Sequence, residues 1–168
     1  MAKNYKTQLA WQIGESLVVA ELGRREIVAT AFSGNVPDID ILAFANNNTL
    51  HMQVKATRHV TTQFDAAKHL NIVFEGERQS VLGLNDALDG DLVHVFVKIG
   101  IDRSADRFFV LEQKDLQAIL HDNHGAWLAK HNGIRPRNPK STHVALKIDS
   151  LAVFEDNWQL IERRLGLK

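Results

Sequence analysis

Asp38, Asp40, Gln53 and Lys55 are the residues whose types and spacing could do chemistry. They sit on two runs, residues 36–43 and 50–56, rich in β-branched and apolar side chains and separated by Asn46-Asn47-Asn48, a turn signal. Both runs read as strands of one hairpin. Side chains alternate faces along a strand, so Asp38 and Asp40 share a face, as do Gln53 and Lys55. A turn centred on the asparagines sets Asp40 near Gln53 and Asp38 near Lys55, within a residue. Two carboxylates, a carboxamide and an ammonium then form one patch. Oxygen ligands of this kind suit a hard divalent cation, and the ammonium can offset negative charge developing beside it.

A salt bridge on the solvated face of a hairpin accounts for the same residues, and surface ion pairs are common. Two features favour a site. The neighbours Ile39, Ile41, Leu42, Ala43, Met52, Val54 and Ala56 are apolar, as in a strand covered on both faces. Charge in such a strand is costly unless it is paired or binds metal. The second feature is the order of the polar groups. Pro37-Asp38-Ile39-Asp40, then Gln53-Val54-Lys55, with Gly14-Glu15 on an upstream helix, resembles the PD-(D/E)XK nuclease superfamily, which includes many restriction endonucleases and the archaeal Holliday-junction resolvases. The resemblance covers about residues 8–57. Gln53 departs from it, standing where Glu or Asp is usual and removing a negative charge.

The resemblance implies an α/β fold with a restriction-endonuclease-like core. This is a central mixed β-sheet flanked by helices in the order αβββαβ, here with a C-terminal strand and helix added. It implies Mg²⁺ or Mn²⁺ and hydrolysis of phosphodiester bonds in nucleic acid, with DNA the expected substrate. Asp40 would be the main metal ligand and Asp38 the substitute if the register differs. Gln53 would offer its amide oxygen and Val54 its carbonyl, and Glu15 would ligate directly or through water. Lys55 would position the attacking water. Glu15, Asp38 and Asp40 against Lys55 leave an excess of negative charge that favours a cation. The alternative, from another class, is a catalytically silent domain of the same fold that binds nucleic acid or a protein partner.

The whole chain sets the bounds. Its 168 residues, 45% hydrophobic and 24% charged, suit one globular domain spanning 1–168. Formal net charge is zero, so any nucleic-acid surface must come from local patches. No cysteine is present, which excludes disulfides and thiolate metal sites. No signal peptide or membrane span is visible, so no membrane is expected and the cytoplasm is the default location. Cleaving both strands of a duplex is easiest for a dimer, so a homodimer is compatible with the reading.

The elements that must position the patch follow in order. Residues 5–23 read as a helix with a stripe through Leu9, Ile13, Leu17, Val19 and Ala20 and with Gly23 as its end signal. A first strand, 27–32, and a turn at Ser33-Gly34-Asn35 precede the hairpin. Thr57, Arg58, His59, Thr61 and Thr62 could meet phosphates or form a plain loop. The pattern at 78–88 predicts a helix interrupted by Gly83, and Asp89-Gly90-Asp91 a turn. Strands are expected at 92–99, 107–111 and 143–148, and helices at 114–130 and from 154 on, with Trp158 as a core anchor. His94 reads as a core or edge histidine. His121, His124 and His131 lack the acid spacing of a zinc site. The loop 132–141 is the most basic; Arg135, Arg137 and Lys140 could contact phosphate or simply be solvated.

Overall fold

The computed structural model describes residues 5–32 and 37–167. In chain order the elements are α1 (Tyr5–Arg24), β1 (Val28–Ala31), β2 (Ile41–Ala45), β3 (Asn48–Thr57), β4 (Thr61–Asp65), β5 (Leu70–Glu75), β6 (Arg78–Leu84), β7 (Val93–Lys98), β8 (Arg107–Glu112), α2 (Gln113–Lys130), β9 (His143–Lys147) and α3 (Gln159–Arg164), with 3₁₀ turns at Ala66–Lys68, Arg103–Ala105 and Ile148–Phe154. They form two compact units. The first comprises residues 1–60, 91–112 and 148–168, and the second 61–90 and 113–147. The fold is mixed α/β, and its central sheet is mixed and flanked by helices.

The first unit holds that sheet, ordered β1-β2-β3-β7-β8. All neighbours are antiparallel except β3 and β7, which run parallel. The β2–β3 connection is a two-residue turn, Asn46-Asn47, with φ of 48° and 61°. Positive φ at both central positions matches the right-handed twist of a hairpin and suits asparagine. Asn48 has already joined β3, pairing with Ala45, so the turn is one residue shorter than the three asparagines suggest. Val93, Val95 and Val97 of β7 face the same core as Met52 and Ala56, and Trp158, Leu160, Ile161 and Leu165 close it. Trp158 is the anchor expected of it, 2% exposed and 5.3 Å from the Phe108 ring.

Helix α1 lies on β1, β2 and β3. Its buried line is Ala10, Gly14, Val18 and Leu22, one position round from the expected stripe, and Leu9 is exposed. Gly14 explains the rotation. A Cβ there would stand 2.3 Å from the Cβ of Ala56, so only glycine lets the helix axis approach β3 this closely. The helix runs one residue past Gly23, to Arg24, and Glu26, with φ of 60°, turns the chain away from it.

The second unit is a hairpin, β5–β6, a β4–β9 pair and α2. Here one expectation is corrected. Residues 78–84 form strand β6, not a helix. Val81, Leu82 and Leu84 are too short an apolar run to tell strand from helix by period. Gly76, with φ of 63°, opens the two-residue turn that closes Glu75 against Arg78 and sets the strand. The helix expected between the third strand of the meander and the next central strand is therefore replaced by this hairpin.

Candidate functional site

Every residue of the predicted patch belongs to the first unit. Strand β2 starts later than expected, at Ile41. Asp38 lies in a turn with φ of 63° and is exposed, so it is not a strand residue facing Lys55. Val36 and the predicted turn at Ser33-Gly34-Asn35 lie outside the described residues. Asp40 is the hinge between turn and strand. Its N–H donates to the Met52 carbonyl at 2.9 Å, and its own carbonyl accepts from Phe32 N–H at 3.0 Å. Its Oδ2 accepts from Val54 N–H at 2.7 Å. The carboxylate thus takes over from the β2 backbone where the chain turns away, and the Val54 donor stays satisfied.

The ladder ends with Ile41 paired to Met52, and beyond it Asp40 bonds to the Met52 carbonyl and the Val54 N–H, so it lies beside the 52–54 stretch of β3. On the other side of β3, Gln53 pairs with His94 and Lys55 with Phe96. Gly14 packs on Ala56 and Val54, so strand alternation turns Gln53 and Lys55 to the face away from α1. Both are half-buried.

Glu15 follows Gly14 directly and is half-buried. Desolvation, and then the charge of Asp40, raise its carboxyl above the usual range. Asp40 is raised too, first by desolvation and then by Asp38, against the pull of the Val54 N–H and of Lys55. Asp40 therefore lies within electrostatic reach of Glu15, of Asp38 and of Lys55. Glu21, the other acid of α1, is committed elsewhere, to Arg24 at 2.8 Å and Arg25 at 3.1 Å.

The candidate donors are oxygens: carboxylates from Glu15 and Asp40 and the amide of Gln53, the last on the face of β3 away from α1. Hard cations such as Mg²⁺ use one or two protein carboxylates and keep several waters. Oxygen donors of this kind are chemically suited to such an ion, whose charge would offset the Asp40 carboxylate that raises Glu15. Among the described residues no three His, Asp or Glu side chains are grouped to hold a metal. Any ion here rests on two carboxylates and an amide, not on an acidic cage.

The basic residues divide between the two units. Arg58 is exposed just past β3, and Arg137 is exposed in the second unit. Arg135 donates to the His143 carbonyl at 2.7 Å and lies over the Trp127 ring at 4.5 Å. Lys140 reaches the Gly76 carbonyl and the Phe74 ring. The loop that carries them is pinned by Gln79, 3% exposed, whose amide donates to the Pro139 and Ser141 carbonyls at 2.6 and 2.9 Å. His94 and His124 are buried. Gln79 and Gly14 carry no reactive group and were missed as determinants. The available signal for Gly14 was a mid-helix glycine immediately before an acid.

No family model and no curated protein matches the chain. Among solved structures, the chain is similar to a bacterial homing endonuclease, with a TM-score of 0.55 at 10% identity over 95% of each chain. At that identity the likeness is one of fold. The neighbour is a nuclease with an α/β fold, and a central mixed sheet flanked by helices is what the sequence predicted. Among the described residues no helix is long and apolar enough to cross a membrane.

Proposed function

We propose that the chain is a metal-dependent nuclease of the PD-(D/E)XK type that hydrolyses phosphodiester bonds, with DNA as its substrate. The observation that carries the reading is the desolvated Asp40 carboxylate at the entry to β2, held by the Val54 N–H, raised by burial and by Asp38 against the pull of Lys55, and itself raising Glu15. Burying like charges together without a cation works against the fold, so the arrangement asks for one. The fold of the homing endonuclease supports the same reading.

In this reading Asp40 and Glu15 hold Mg²⁺ or Mn²⁺, with the Gln53 amide oxygen and the Val54 carbonyl assisting and Asp38 adding negative charge from the turn. The metal supplies Lewis-acid polarisation of the phosphate and a more acidic water. The Val54 N–H fixes one oxygen of Asp40 and so orients the other. Lys55 orients the attacking water and offsets the charge that builds on the phosphate oxygens. Gly14 sets the depth at which Glu15 enters.

Gln53 and the lack, among the described residues, of a third clustered acid favour a second reading, a silent nuclease-fold domain that binds nucleic acid or a protein. A cleavage assay on plasmid, single-stranded, branched and RNA substrates with Mg²⁺, Mn²⁺ or chelator separates the two. The nuclease reading expects metal-dependent cleavage that Asp40→Ala abolishes in a folded protein. Absence of cleavage on every substrate in both metals would remove it.

A further inference from the structure

The second unit contains a groove of about 640 Å³ walled by α2, the loop after it and strands β4 and β9. Its walls include Lys130, Arg135, Lys147 and His143, with Asp122 as the sole acid. Arg135 is half-buried, and desolvation lowers its pKa. Among the described residues its partners are a backbone carbonyl and the Trp127 face, and no carboxylate meets it. Lys130 likewise makes no ion pair among them. A partly desolvated guanidinium without a counter-charge is unfavourable unless an anion completes it.

The chemistry of the walls identifies the anion. Trp127 already contacts both Arg135, at 4.5 Å, and the His131 ring, at 4.2 Å, so its indole is engaged before any base arrives. Lys130 and Arg135 on these walls are cationic and suited to phosphate rather than to a base edge. The loop carrying Arg135 is pre-set. Gln79 N–H donates to the Gly133 carbonyl at 2.8 Å, and the Gln79 amide holds Pro139 and Ser141. The chain as a whole is neutral, so this local excess, and not net charge, would supply the attraction.

We infer that this groove is a backbone-phosphate binding site for duplex nucleic acid, formed by Lys130, Arg135 and Lys147. The choice of ligand rests on the nuclease reading, but the binding needs neither metal nor the acidic residues of the first unit. The test is fluorescence anisotropy of the full chain with a labelled DNA duplex in chelator, over a salt series. Lys130→Ala with Lys147→Ala is expected to weaken binding about tenfold. The slope of log affinity against log salt should become less negative by about one per cation removed. Arg135→Lys keeps the charge and is expected to bind between the two. Circular dichroism and thermal melting of each variant establish that it is folded.

Wild-type affinity and slope in the double variant would overturn the inference, even if the protein cleaves DNA with Mg²⁺. Displacement of the duplex by inorganic phosphate at constant ionic strength would also overturn it, because the groove would then be a small-anion site. Groove-dependent binding without cleavage on any substrate would leave the inference standing and remove the nuclease reading.

Discussion

Asp40 and Asp65 are the same residue type in opposite circumstances. Asp65, in the second unit, accepts from the Thr142 hydroxyl and the Ala67 N–H and feels His143, and these hold its carboxyl below the usual range. Asp40, in the first, has one backbone donor, deeper burial and two acidic neighbours, and it is pushed up. Asp65 is satisfied and acts as a cap for the 3₁₀ turn at Ala66–Lys68. Asp40 is under-compensated. Perturbed, desolvated acids with a specific charge partner are what functional sites collect, whereas a satisfied capping acid belongs to the scaffold.

The sharpest way to break the comparison is Lys55→Ala. If the acids near Asp40 serve hydrolysis, losing the ammonium lowers cleavage by about 10²–10³-fold while the protein stays folded. Single-turnover rates on a cleaved substrate measure this. An unchanged rate would reduce Asp40 to the standing of Asp65.

Gly14→Ala acts one step back. The new Cβ meets backbone-bound Ala56 Cβ at 2.3 Å, and neither is the end of a flexible chain. Helix α1 must shift, at about 1–3 kcal/mol, and carry Glu15 with it. A melting temperature lower by roughly 5 °C is expected. A melt identical to wild type would show that the close approach does not matter.

Gln79→Met tests the scaffold of the second unit. It leaves the Pro139 and Ser141 carbonyls without their donor and costs about 2 kcal/mol. Hydrogen exchange should quicken in the 132–141 loop and not across β3, and uniform quickening would count against a local latch.

The smallest effect concerns pH. A folded-state pKa above the unfolded value means that the folded chain binds that proton more tightly. Asp40 and Glu15 therefore favour the fold at low pH. Their contribution is lost as pH rises from the ordinary carboxylate range through their raised values. Asp65 is the reverse, stabilising above the ordinary range and losing that as pH falls through its lowered value. Asp40→Asn keeps an oxygen for the Val54 N–H but cannot ionise. It should raise the melting temperature by roughly 2 °C at neutral pH, with the gain vanishing in acid and shrinking when Mg²⁺ is added. Carboxyl carbon shifts give the direct measurement, and Asp40 titrating at or below Asp65 would sink the comparison.

The hairpin at the heart of the site was legible because its information is local. Alternation along two strands and an Asn-Asn turn with one favoured twist bring Asp40 beside the 52–54 stretch of β3 without reference to the rest of the chain. Other expectations failed where local signals were ambiguous. Residues 78–84 carry an apolar run that suits helix or strand, and the chain's decision rests on Gly76 and on pairing with β5. The stripe of α1 was misread by one position because Gly14 has no side chain to register in a hydrophobic pattern, yet that absence is what lets the helix approach Ala56.

From the residues alone came the sheet-forming hairpin, the candidate acids with their lysine, the two helices read at 5–23 and 114–130 and the buried strand read at 92–99, these helices and this strand each within a residue of their observed ends. Each depends on periodicity or turn chemistry within a few residues of itself. Tertiary structure alone decided that Glu15 and Asp40 share a field, that the Asp40 carboxylate replaces a missing ladder bond, and that Arg135 lies on Trp127 with no carboxylate partner among the described residues. Desolvation and charge–charge coupling depend on distance in space. No spacing along the chain encodes them until packing brings the residues together.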